Sequence, residues 1–111
     1  MPMEDKKRAA YRALEDRVRS GEGRASPEQR ARAFRGSGLG QPLDGLLGKV
    51  AVRPAQVTDE DFAAARAAGF SDDELFELVI CAAVGWSARL YDAGLAALAE
   101  AIAGEEAGNA P

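Results

Sequence analysis

The sequence predicts an all-α protein, a bundle of about five helices around one long apolar helix near residues 72–103. Three observations carry this expectation. Alanine is abundant, while aromatic residues make up only 6% of the chain. That balance favours closely packed helices over a sheet built on large aromatic anchors. Apolar residues recur at helical spacing, as in Leu43, Leu46, Leu47 and Val50. Local helix-start signals precede three of the segments, at Ser26, Thr58 and Ser71. With 111 residues, the chain fits one domain with a modest core.

Taken in order, the first helix is expected over about residues 3–20. Tyr11, Leu14 and Val18 form its narrow apolar stripe, and Gly21 and Gly23 end it. The second begins at Ser26-Pro27-Glu28-Gln29. Serine caps there, proline takes the first helical position, and Gln29 reaches back in a capping box. It ends near Arg35, before Gly36-Ser37-Gly38. The third contains Gly45 and Gly48, which each cost roughly 1 kcal/mol relative to alanine. Close packing or an irregular helix is therefore expected there, and Pro54 stops it. The fourth starts at Thr58, with Asp61 in the box and Val57 and Phe62 as a hydrophobic staple. Gly69 closes it. The fifth starts at Ser71, with Glu74 in the box and Phe70 and Leu75 as the staple. Asp59, Glu60, Asp72 and Asp73 complement the two helix dipoles. An irregularity is expected at Gly85. These elements divide the chain into a basic N-terminal helical segment (1–35), a helical core (42–103) and a disordered tail (104–111).

Charge is unevenly spread. Residues 1–35 hold ten basic and six acidic side chains, and residues 36–111 hold four and twelve, within a net charge of −4. This pattern fits a basic helix beside an acidic body, with electrostatic docking of one on the other as the sharper alternative. The acidic balance argues against general nucleic-acid binding. Residues 62–79 have the spacing of a helix-turn-helix. The start of its second helix, however, carries Asp72, Asp73 and Glu74, which would repel phosphate. One cysteine allows neither an intrachain disulfide nor a multi-cysteine zinc site, and no metal or other cofactor is expected. The start of the chain has no signal-peptide pattern, and the apolar run Leu78–Trp86 is far shorter than the roughly 20 residues of a membrane span. A cytoplasmic protein without membrane or nucleic-acid partners is expected.

The fifth helix concentrates the functional candidates. Its apolar run must be covered on every side. Four short neighbours make a thin cover, and the small Ala82, Ala83, Gly85, Ser87 and Ala88 allow a close approach. A homo-oligomer covering the remaining face is the preferred expectation. Between Leu75 and Ala99 only Glu77, Arg89 and Asp92 are charged. They share one side of the helix with Cys81, and Arg89 and Asp92 are spaced to pair. This side faces water, or else forms a polar pocket or interface. Cys81, mid-helix and with no histidine in the chain to act as its base, reads as inert. Trp86 reads as a core or interface anchor.

Residues 57–98, "VTDEDFAAARAAGFSDDELFELVICAAVGWSARLYDAGLAAL", resemble the carboxymuconolactone decarboxylase and alkylhydroperoxidase D-like (AhpD-like) superfamily. The likeness covers roughly residues 42–100. It implies an AhpD-like helical bundle assembled as a homo-oligomer, often a trimer or hexamer. The redox branch of that family uses a glutamate, a Cys-x-x-Cys pair and a histidine. Matching Glu77 to the glutamate puts the cysteine positions near Arg89 and Asp92 and the histidine near Ala96. Matching this stretch to a later helix moves the motif upstream, where neither residue type exists. Either register implies a member without the redox motif, acting as a structural or accessory protein with a possible protein partner. The alternative is an enzyme or small-molecule binder of the decarboxylase type. Its pocket would lie at a subunit interface around Glu77, Arg89, Tyr91 and Asp92, with Glu77 and Asp92 as candidate acid–base groups and Arg89 as anion clamp.

Overall fold

Three of the helix starts are closed by reciprocal hydrogen bonds in the computed structural model, which describes residues 2–108. The Gln29 amide donates to the Ser26 hydroxyl, and the Gln29 side chain accepts from the Ser26 N–H. Thr58 with Asp61, and Ser71 with Glu74, repeat the arrangement. These boxes satisfy N–H groups that the first turn leaves free.

The helices are α1 (Pro2–Ser20), α2 (Pro27–Arg35), α3 (Leu43–Val52), α4 (Asp59–Ala67) and α5 (Asp72–Gly108), with a short 3-10 turn at Pro54–Gln56 between α3 and α4. No strand occurs among the described residues. Gly36 and Gly69 adopt left-handed φ values of 93° and 104° after α2 and α4, where a side chain would be strained.

Two local expectations change. First, α5 is unbroken through Gly85 and continues to Gly108, so residues 104–108 are helical where a disordered tail is expected; residues 109–111 lie outside the described part. Second, Gly45 and Gly48 are exposed, and a side chain at Gly48 would meet nothing. The glycine that close packing requires is Gly85. A Cβ there would overlap the backbone carbonyl of Phe34 in α2.

α5, about 55 Å long, is the central element of a molecule measuring 65 × 28 × 21 Å. α1, α2 and α3 pack against it, while α4 packs on α3, adds Ala65 to the core and ties to α5 through the Arg66–Asp72 ion pair at 2.6 Å. The core takes Leu75, Leu78, Cys81 and Ala82 from α5 and Leu43, Leu46 and Leu47 from α3. Ala25 and Ala33, from the basic segment, belong to the same cluster. α1 docks through apolar and aromatic contacts. Tyr11 stacks on Tyr91 at 5.3 Å and shares a 2.7 Å hydrogen bond with Ser87. Among the described residues, the ion pair of α1 is internal, Arg19 with Asp16.

Candidate functional site

The polar side of α5 faces α1 and α2. Glu77 sits opposite the loop that leads into α2, and its carboxylate accepts from the backbone N–H groups of Arg24 at 2.7 Å and Ala25 at 2.6 Å. The Ala25 N–H is the main reason the Glu77 carboxyl titrates below its ordinary value, with the Arg24 N–H adding to the effect and burial partly opposing it. Gly23 lets this loop lie against Glu77, since a Cβ there would crowd the carboxylate. Arg30 folds back under the loop and donates to the Gly21 carbonyl.

Twelve residues further along α5, Arg89 performs the opposite task. Its Nη1 donates to the Phe34 carbonyl at 2.6 Å, near the end of α2. The two charges stand about 18 Å apart along the axis and bracket a nine-residue helix. The carboxylate lies at the positive end of the α2 dipole and the guanidinium at the negative end. Between them, Gly85 lets the α2 backbone rest directly on α5. The geometry is that of a clamp that holds α2 parallel to α5.

The other candidates fall elsewhere. Arg89 does not pair with Asp92; its guanidinium instead lies 5.6 Å from the centre of the Trp86 ring, within cation–π range. Trp86 is half-buried and, with Ala82, lines a cavity of about 150 Å³ between α2, α3 and α5. Tyr91 and Asp92 are exposed and line a groove of about 310 Å³ against Arg8 and Arg12 of α1. Cys81 is buried, its thiol donates to the Val18 carbonyl at 3.4 Å, and burial raises its pKa to about 11. Glu77, Arg89 and Asp92 therefore do not converge on one pocket. No cluster of three or more potential metal ligands exists among the described residues.

Sequence reasoning expected a face of α5 left over by its neighbours but did not say which one. With α1, α2 and α3 on three sides, the fourth presents Phe76 (67% exposed), Leu90 (55%) and Leu98 (57%), together with Ile80 and Ile102. From Ala96 onward every described side chain of α5 is exposed. The stripe is uncharged from Phe76 to Ala101 and lies roughly opposite Glu77, Arg89 and Asp92 around the helix. Comparison with protein families, with curated proteins and with solved structures found no match for this chain.

Proposed function

We propose that this chain is a self-associating helical protein with a structural or accessory role, in keeping with the AhpD-like resemblance that lacks the redox motif. One observation carries the proposal: the fourth side of α5 leaves a continuous apolar face in water. Isolated apolar side chains on a surface are ordinary, whereas a contiguous face of this length marks an interaction site. The decarboxylase-type alternative draws no comparable support. Glu77 and Arg89, its acid–base group and anion clamp, are already engaged by the backbone of the loop before α2 and of α2 itself, and Asp92 stands apart from both.

Sedimentation velocity tests the proposal. The wild-type chain is expected to sediment as an oligomer at micromolar concentration. Leu90→Lys, a change at an exposed position, is expected to give a monomer with unchanged helical circular dichroism. A wild-type monomer would remove the proposal, and an unchanged oligomer in the variant would move the interface off this face.

A further inference from the structure

We infer that the occupant of the bare side of α5 is a second copy of the chain, its α5 packed antiparallel along a heptad seam. This inference rests on the self-association proposed above and adds its geometry. From Phe76 to Ala101, exposed and uncharged residues follow one another at spacings of 4, 3, 4, 3, 4, 3 and 4. That is coiled-coil spacing sustained over more than three heptads. At about 100° per residue these positions keep within an arc of about 100°. Asp73 stands one step before the seam and Gly104 one step after it.

The seam complements itself in one direction only. A two-fold axis passing between Ala88 and Arg89 puts Phe76 opposite the partner's Ala101 and Ile80 opposite the partner's Ala97. It also puts Ala83 opposite the partner's Gly94, and Ser87 opposite the partner's Leu90. Phe76, Ile80 and Leu90 each meet a small residue, and at the Ala83–Gly94 layers the backbones approach closely. A parallel pair would set Phe76 against Phe76 and Leu90 against Leu90. It would also leave voids where Gly94, Ala97 and Ala101 face their own copies, contrary to the close packing of protein interiors. The same patch serves both copies, as a two-fold contact requires.

Two further observations fit this occupant. Tyr11, bonded to Ser87, lies at the height of the axis. The two α1 helices therefore pass side by side, and the apolar patch of Ala10, Leu14 and Tyr91 is covered from the partner. The area also suffices. Phe76, Ile80 and Leu90 on the seam, with Leu98 at its edge, leave roughly 400 Å² per chain in water. With the small residues and the α1 patch, a pair exceeds the roughly 1,000 Å² that a specific interface needs.

Disulfide trapping between two single variants tests the arrangement. Ala83→Cys and Gly94→Cys are purified separately, mixed so that subunits exchange, and oxidised; the wild type, with only buried Cys81, is the control. A covalent dimer containing about half of the chains, the statistical share of mixed pairs, is expected from the mixture. Neither variant alone should link, because like positions lie roughly 17 Å apart in the antiparallel pair. Linking of each variant with itself would overturn the antiparallel seam while leaving self-association intact. An oligomeric wild type whose variants do not link in any combination would place the interface on another face, with the same consequence. A monomeric wild type would overturn both proposals, and its co-sedimentation with phosphatidylcholine–phosphatidylserine vesicles would assign the face to lipid.

Discussion

Glu77 shows how a residue that looks catalytic in sequence can be structural. An acid on an apolar helix suggests a general base, but both of its oxygens are taken by backbone N–H groups. Removing a charged acceptor leaves the buried Ala25 N–H without a partner, and bonds to charged groups are worth about 1.5–3 kcal/mol each. Glu77→Ala is therefore expected to lower stability by about 2–3 kcal/mol in urea unfolding at pH 7. The native carboxyl titrates below its ordinary 4.5. Its contribution is thus complete above that value and fades as the pH falls through the lowered native one. The stability gap between wild type and Glu77→Gln should accordingly shrink on going from pH 7 to about pH 3.5. A gap that stays constant would show that the charge is not what holds the loop. Cys81 completes the residue scale. Burial and a pKa of about 11 predict a thiol that a disulfide reagent labels only as fast as the protein unfolds.

At the scale of the helices, starts were legible in the sequence and contacts were not. Ser26, Thr58 and Ser71 announced their capping boxes because a cap is a local bond between residues three apart. The role of Gly85 depends on Phe34, fifty-one positions away, and no local pattern encodes that meeting. It decided which glycine mattered. Gly85→Ala should destabilise by about 2–3 kcal/mol, since its Cβ overlaps the Phe34 carbonyl. Gly48→Ala, in open space within α3, should stabilise by up to about 1 kcal/mol. Urea midpoints shifting in the same direction for both would contradict the assignment of Gly85 as the packing glycine. The same limit explains the site. Helical spacing placed Glu77, Cys81, Arg89 and Asp92 on one side of α5, and that much is correct. What faces that side, the loop before α2 for Glu77, α2 for Arg89 and α1 for Cys81, required the tertiary fold.

For the whole molecule, the central fact is a long helix with neighbours on three of its four sides. Among the described residues, nothing covers Phe76, Leu90 and Leu98 on the fourth. Its mass of apolar surface was readable from composition, but the choice of exposed face was not, because it depends on where α1 and α3 settle. The proposed pairing also has an electrostatic signature. An antiparallel seam brings Asp72 and Asp73 of one copy towards Glu105 and Glu106 of the other, at both ends. Salt screens that repulsion over distances of about 8–10 Å, while burial of the seam is insensitive to it. The molar mass of the wild-type chain by light scattering, at tens of micromolar in low and in high salt, tests the account most directly. Twice the 11.7 kDa chain mass or a larger even multiple, with association strengthened by salt, is the predicted result. A mass of 11.7 kDa under both conditions would contradict it.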